Sequence, residues 1–278
     1  MQDLEKLINE ALNEDIGPGD YTSLACINKN SLGKAVLLVK ENGIIAGIEV
    51  AKHIFKKVDE SIKIYCFLKD GDPIKKGDIV LEVSGPSNSI LSAERLVLNC
   101  MQRMSAIATK TNFFLSIIKH TKTQILDTRK TTPNFRLLEK MAVKIGGGVN
   151  HRFGLFDMMM IKDNHIDFAG GIEQAINKAV LFQQKKKIDI PIEIEARNLT
   201  EVEEILRIGK INRIMLDNFS IEDTKKAVTL INKQYTTESS GNINEHTIKN
   251  YAECGVDFIS VGALTHSINS LDLSLKAI

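Results

Sequence analysis

The chain has almost no net charge, no long apolar run and no patterned cysteine, and each shortage removes a class of protein. Lys and Arg number 36 against 35 Asp and Glu in 278 residues, a formal net charge of +1. No global field exists for wrapping nucleic acid or coating an anionic membrane. The longest apolar runs, such as Ala35 to Val39 and Met158 to Ile161, fall far short of the roughly 20 residues a membrane-spanning helix needs. Cys26, Cys66, Cys100 and Cys254 stand far apart, without CxxC or Cys-His spacing. They make neither a zinc site nor a disulfide scaffold, and read as reduced thiols of a cytoplasmic protein. The N-terminus lacks the basic start and apolar stretch of a secretory signal. What remains, with 43% hydrophobic and 26% charged residues, is an ordinary globular chain long enough for two cores.

Met1 to Glu14 reads as an amphipathic helix, with Leu4, Leu7, Ile8, Ala11 and Leu12 on one stripe. Lys34 to Lys40 is a strand that Asn42-Gly43 is expected to turn into a hairpin with Ile44 to Ala46. A helix over Ile48 to Val58, a strand over Ile62 to Leu68, a turn at Asp70 to Pro73 and a strand over Ile79 to Val83 complete an α+β pattern. A long helix follows, its stripe running from Ala93 through Leu96, Val97, Cys100, Met101 and Met104 to Ala108, with Ser92 as its expected N-cap. Arg95, Asn99 and Arg103 share another face of it, where Arg95 by itself reads as a solvated charge.

Beyond residue 120, short apolar runs alternate with helical patterns: Gln124 to Asp127, Met158 to Ile161, Pro191 to Ile194, Arg213 to Leu216, Tyr235 to Glu238 and Asp257 to Val261. Thr200 with Glu203, and Ser220 with Asp223, look like capping boxes, while Asn244 and Gly255 bracket a further helix. This is the grammar of a parallel βα sheet or barrel. The alternation of Leu271, Leu273 and Leu275 makes the C-terminus a strand that can return to the first sheet. The expected division is 1–104 with 268–278, and 105–267.

Catalytic groups of a βα barrel sit where its strands end. Those positions hold Asp127-Thr128-Arg129-Lys130, then Lys162, Glu195, Asp217, Ser240-Gly241-Asn242 and Ser260-Val261-Gly262. Lys162, Glu195, Asp217, Ser240 and Gly262 follow one another at steps of roughly 22 to 33 residues, one βα unit each. Arg129, Lys130, Arg152 and Lys162, with His151, form a cationic cluster that calls for anions. Forked guanidinium groups suit carboxylates and phosphates. Glu195 and Asp217 offer hard oxygens for sugar hydroxyls or hydrated Mg2+. The small residues of the last two loops let backbone N–H groups reach a phosphate. Gly146-Gly147-Gly148 has no phosphate-loop spacing and reads as a turn that positions His151 and Arg152. The substrate implied is polyanionic, with a phosphorylated sugar.

These residues resemble those of the quinolinate phosphoribosyltransferase family, the carboxylating nicotinate-nucleotide pyrophosphorylases. The resemblance runs from Glu14-Asp15-Ile16-Gly17-Pro18-Gly19-Asp20 through Ala93-Glu94-Arg95-Leu96, Asp127 to Pro133, His151-Arg152 and Ile161 to His165. It continues through Glu193 to Glu195, Leu216-Asp217-Asn218 and Glu238 to Gly241, and ends with Val261 to Ser267 and Leu271 to Leu275. It implies an N-terminal α/β sandwich and a C-terminal open, incomplete α/β barrel. It also implies a homodimer or larger assembly in which Arg95 serves the neighbour's site. Arg129, His151, Arg152 and Lys162 would then meet the two quinolinate carboxylates, and Lys130 the pyrophosphate. Glu195 and Asp217 would face ribose and Mg2+, and Ser240 to Asn242 with Ser260 to Gly262 the 5-phosphate. Lys130, Glu195 and Asp217 are the implied catalytic groups. The implied reaction joins quinolinate to phosphoribosyl pyrophosphate, giving nicotinate mononucleotide, CO2 and pyrophosphate. Asn242 departs from the family, where many members have a second glycine.

Rival readings are weaker. A Schiff-base aldolase on Lys162 would leave the paired acids and phosphate loops unused. A biotinyl or lipoyl carrier, suggested by Lys69 to Asp78, lacks its hairpin-tip lysine, so no covalent cofactor is expected. A paralogue on the same fold with another acceptor, such as the homologue associated with molybdenum transport, shares the motifs and differs in substrate.

Overall fold

The computed structural model describes residues 2–278; Met1, at the start of the expected first helix, lies outside the described residues. The chain forms two compact units, one of Met1–Asn112, Thr131–Gly147 and Leu264–Ile278, the other of Phe113–Lys130 and Gly148–Ala263. No described helix is long and apolar enough to cross a membrane.

The first unit holds α1 (Gln2–Ile16), α2 (Tyr21–Cys26), β1 (Leu32–Val39), β2 (Gly43–Ile44), α3 (Ile48–Val58), β3 (Lys63–Cys66), β4 (Pro73–Ile74) and β5 (Ile79–Pro86). The long α4 (Ser87–Ile118) starts within it. Alternation along the strands turns Leu37, Val39, Leu81 and Val83 inward, where α3 adds Ile54 and Phe55, all fully buried. Each such side chain contributes about 1.5–3 kcal/mol. The main sheet is antiparallel, in the order β12-β1-β5-β3. Its edge strand β12 (Leu273–Ala277) is the returning C-terminus that the leucine alternation predicts.

Two local expectations fail here. Asn42-Gly43 makes no hairpin, because β2 pairs with β4 instead of β1. A Cβ on Gly43 would sit 2.6 Å from Leu271, and Ile44 N–H donates to Thr109 Oγ1 at 2.8 Å, so distant packing draws the chain out of the sheet. Ser92 is not the N-cap of α4, which begins five residues earlier; its hydroxyl instead faces Asp20 Oδ2 at 3.3 Å.

The second unit is built on β6 (Gln124–Leu126), β7 (Met159–Ile161), β8 (Ile192–Ala196), β9 (Arg213–Asp217), β10 (Thr236–Ser240) and β11 (Phe258–Ser260). All pair in parallel, in the order β6-β11-β10-β9-β8-β7, so the sheet is the open one of an incomplete α/β barrel, with β6 and β7 at its edges. Between these strands run α6 (Asp163–Ala169), α7 (Ile172–Lys186), α8 (Leu199–Ile208), α9 (Ile221–Ile231) and α10 (Ile248–Ala252); α5 (Arg136–Ile145), and α11 (Ala263–His266) from Leu264 onward, belong to the first unit. Ser220 caps α9 as expected, accepting from Asp223 N–H at 3.0 Å. At α8 the cap is Asn198, not Thr200: its Oδ1 accepts from Glu201 N–H at 3.0 Å. Asparagine outcompetes threonine for that position, and it comes two residues sooner.

Candidate active site

Because the six strands are parallel, their C-terminal ends open on one side of the sheet. Asp127 follows β6, Lys162 follows β7, Glu195 lies one residue from the end of β8, and Asp217, Ser240 and Ser260 end β9, β10 and β11. Strand alternation then stacks two layers on one face. The register sets Glu193 beside Arg213, Glu195 and Glu238 beside Met215, and Ser240 beside Asp217.

The outer layer carries the substrate-facing candidates. Lys162 Nζ lies 2.6 Å from Glu195 Oε1, and the Asp163 N–H reaches Glu195 Oε2 at 3.4 Å. Asp217 Oδ2 accepts from Asn218 Nδ2 at 3.0 Å. Asn218 N–H donates to Ser240 O at 2.9 Å, and Asn242 Nδ2 faces Asn218 Oδ1 at 3.4 Å, so the β9 and β10 loops interlock. Gly241 takes φ +98° in that lock, and Asn242 takes φ +49°, the left-handed geometry asparagine tolerates. Thr128 Oγ1 accepts from Lys130 N–H at 3.0 Å, shaping the exposed Arg129-Lys130 turn. Ser260 and Val261 are buried and Gly262 is half-buried. Arg95, exposed on α4 in the first unit, is not part of this set.

Arg152 is the electrostatic anomaly. It is only 8% exposed, yet among the described residues no carboxylate comes within ion-pair distance of it; its Nη1 donates to Met158 O at 3.2 Å. Burial and the neighbouring Arg129 both hold its pKa below the ordinary guanidinium value. A cation so placed lacks a counter-ion that a ligand can bring.

Below, His151 meets a layer of buried charges, Glu193, Glu238 and Arg213, to which the sequence analysis assigned no role. His151 Nε2 stands 3.0 Å from Glu193 Oε2 and 3.4 Å from Glu238 Oε2. Arg213 Nη1 approaches Glu238 Oε2 at 2.8 Å and stacks over Phe258 at 4.5 Å. Both glutamates are fully buried. Burial works against a charged ring, but the two carboxylates outweigh it and lift the His151 pKa to about 9. Burial and the charge of Glu238 push Glu193 up to about 7. Glu238 is opposed by burial but held below its ordinary value by His151 and Arg213. The proton these acids attract therefore belongs to the His151 and Glu193 pair as a unit. The three groups could ligate a cation, but Arg213 already supplies that charge. One signal could have revealed the layer: Glu193, Arg213 and Glu238 precede Glu195, Asp217 and Ser240 by even steps and so share their face.

Parallel strands whose C-terminal ends gather acids, a Lys–Glu pair and a buried arginine are the arrangement of an α/β-barrel enzyme. The family models for the quinolinate phosphoribosyl transferase N-terminal and C-terminal domains match residues 20–105 and 107–276. The chloroplastic nicotinate-nucleotide pyrophosphorylase (carboxylating) of Oryza sativa subsp. japonica is 47% identical, over 99% of this chain and 77% of its own. The probable nicotinate-nucleotide pyrophosphorylase (carboxylating) of Bacillus subtilis is 41% identical, over 98% of this chain and 92% of its own. The solved structure of the nicotinate-nucleotide pyrophosphorylase from Francisella tularensis matches with TM-score 0.93 at 40% identity, covering 100% of this chain and 96% of that one. The chain belongs to the quinolinate phosphoribosyltransferase (decarboxylating) family, and its activity is the phosphoribosyl transfer to quinolinate in NAD biosynthesis.

Proposed function

We propose that the barrel mouth divides this reaction between a carboxylate clamp and a phosphoribosyl cradle. The observation that carries the reading is the buried Arg152 without a carboxylate partner. Arg129, Arg152 and Lys162 take the dicarboxylate, with His151 behind Arg152, while Lys130 and Thr128 face the pyrophosphate. Ser240, Gly241 and Asn242 with Ser260, Val261 and Gly262 surround the 5-phosphate, their small side chains leaving N–H groups accessible. As pyrophosphate leaves the ribose, positive charge grows at the anomeric carbon, and Glu195 and Asp217 stabilise it. Lys130 offsets charge on the departing pyrophosphate. Ribosylation makes the ring nitrogen positive; as CO2 is lost, the electron pair of the C–CO2 bond stays on the ring carbon beside that charge, and a proton from solvent then takes it.

Mg2+ fits as an ion shared with the substrate. Lys162 occupies Glu195, while among the described residues Asp217 Oδ1 accepts no hydrogen bond and is a hard oxygen at the mouth. Asp217 would hold the ion with Glu195 behind it, and the ion would offset pyrophosphate charge. The barrel reading assigns chemistry to residues 105–267 and cover to 1–104 with 268–278. A homodimer supplying Arg95 to its neighbour is supported by the exposed Leu91 one turn away on α4. The unpaired thiols, Cys26 exposed among them, suit the cytoplasm.

The test is CO2 release by the purified protein with phosphoribosyl pyrophosphate and Mg2+, comparing quinolinate with nicotinate. Release from quinolinate, lost in Arg152→Ala with the fold intact, supports the clamp; wild-type kcat/KM for quinolinate in that variant refutes it. For the shared site, mixing inactive Arg95→Ala and Arg152→Ala chains should restore about a quarter of the activity, since half the dimers are hybrids with one intact site.

A further inference from the structure

We infer that Asn218 is a positioning residue that orients the Asp217 carboxylate for the transfer step, and that Asn242 fixes the amide through which it acts. The inference rests on the cradle proposed above and deepens it. Asn218 directly follows Asp217, the last residue of β9, and takes φ +55°, a left-handed turn. Its backbone is anchored across the sheet, where the N–H donates to Ser240 O at the end of β10 at 2.9 Å. Its side chain folds back, and Nδ2 donates to Asp217 Oδ2 at 3.0 Å. The amide lies flat on Gly241, where a Cβ would stand 2.5 Å from Asn218 Cγ, so the glycine leaves it room.

An amide has a donor end and an acceptor end, and here each faces its own partner. Asn242 Nδ2 donates to Asn218 Oδ1 at 3.4 Å, so the acceptor end is taken from the β10 side and the donor end is left for Asp217. Turned over, the Asn218 amide would set an oxygen against the Asp217 carboxylate and an NH2 against that of Asn242, unfavourable at both ends. The glycine that many family members carry at position 242 supplies no such donor. Asp217 is half-buried, while Asn218 and Asn242 are exposed, so without this bond the carboxylate would turn among rotamers in water. Hydrogen bonds to a charged acceptor are the strong ones. With Oδ2 held, Asp217 presents Oδ1, which accepts no hydrogen bond among the described residues. A carboxylate fixed in advance stabilises the charge that grows on the ribose better than one that must first be oriented.

The test combines kinetics of the full-length protein with nitrogen NMR of its asparagines. Asn218→Gly keeps the left-handed backbone and the N–H to Ser240 O while deleting the amide. Its single-turnover rate with saturating substrates should fall about tenfold, with the KM values for quinolinate and phosphoribosyl pyrophosphate within about twofold of wild type. Asn242→Gly should lower the same rate about threefold, and the double variant should be no slower than Asn218→Gly alone, since Asn242 acts only through that amide. In the substrate-free protein, the side-chain amide signals of Asn218 should move in Asn242→Gly and in Asp217→Ala. A higher KM for phosphoribosyl pyrophosphate at an unchanged single-turnover rate in Asn218→Gly would overturn the inference, because Asn218 would then only shape the phosphate loop. So would additive losses in the double variant, or amide signals indifferent to both substitutions. Asp217→Ala separates the two readings: a wild-type single-turnover rate there would end the role given to Asp217 in the cradle, whatever the Asn218 amide does.

Discussion

Replacing Glu139 by alanine should be among the most damaging single changes in the first unit, although Glu139 lies on none of its strands. The carboxylate is fully buried on α5. Its Oε1 accepts from Arg103 Nε at 3.1 Å, Arg103 Nη2 at 2.8 Å and Thr132 Oγ1 at 2.8 Å, and its Oε2 accepts from Thr132 N–H at 3.2 Å. Removing one partner of a buried ion pair costs about 3–5 kcal/mol, because the other charge is left uncompensated. Arg103 keeps carbonyl acceptors at Thr265 and Ile268 and its side chain is 22% exposed, so the lower half of that range applies. At about 2–4 °C per kcal/mol, Tm should fall by roughly 6–16 °C in thermal unfolding followed by circular dichroism. Glu139→Gln keeps the volume but turns an amide donor toward Thr132 N–H or Arg103, and should cost about 2 kcal/mol. The double variant Arg103→Met/Glu139→Met, which removes both charges and keeps the bulk, should recover most of the loss. A Tm for Glu139→Ala within about 1 °C of wild type would refute the reasoning.

Other outcomes follow from the same contacts. Gly241→Ala forces a side chain onto a φ of +98° and sets its Cβ 2.9 Å from Asn218 N; the KM for phosphoribosyl pyrophosphate should rise about tenfold while that for quinolinate moves less. Lys162→Ala removes a clamp charge and strands the buried Glu195, so steady-state kinetics should show kcat/KM for quinolinate lower by about a hundredfold, with a measurable fall in Tm that Lys162→Met/Glu195→Gln relieves. Asp20 caps α2 through Ser23 N–H at 3.0 Å and its Oγ at 2.6 Å, and these bonds hold its carboxyl below the ordinary value of 3.8. Asp20→Ala should therefore cost about 1 kcal/mol near neutral pH. Because the folded-state pKa is the depressed one, that advantage is present above pH 3.8 and lost as pH falls through the lower value, so the two melting curves should converge in acid.

How much of this was legible in the sequence depends on how local the cause is. Helix α3 matches its expected span, Ile48–Val58, because its stripe and its flanking turns lie within one stretch of chain. Strand β12 was legible from three alternating leucines, and the strand ends from the point where apolar runs meet charged residues. Asn42-Gly43 misled because the partner that moves it, Thr109, is far along the chain. Asn198 and Thr200 are both competent caps, and only the first turn of α8 decides between them. The inner layer stayed hidden because Glu193 and Glu238, read as isolated charges in strands, gain meaning only beside His151 and Arg213, which come from different segments.

That inner layer also bears on the clamp proposed above. Arg213 answers Glu238 in the inner layer, so that pair asks for no ligand, whereas Lys162, paired with Glu195 at the mouth and half exposed, can still turn to a ligand carboxylate. What remains is Arg152, buried beside Arg129 and uncompensated among the described residues. A pyridine whose one carboxylate met only the exposed cations of the mouth would leave Arg152 buried without a carboxylate, which costs several kcal/mol. A second carboxylate removes that penalty, and it belongs to the acceptor rather than to the protein. The cations of the clamp proposed above then face two carboxylates at once. Discrimination between quinolinate and nicotinate should then collapse in Arg152→Ala through loss of quinolinate turnover rather than gain of nicotinate turnover.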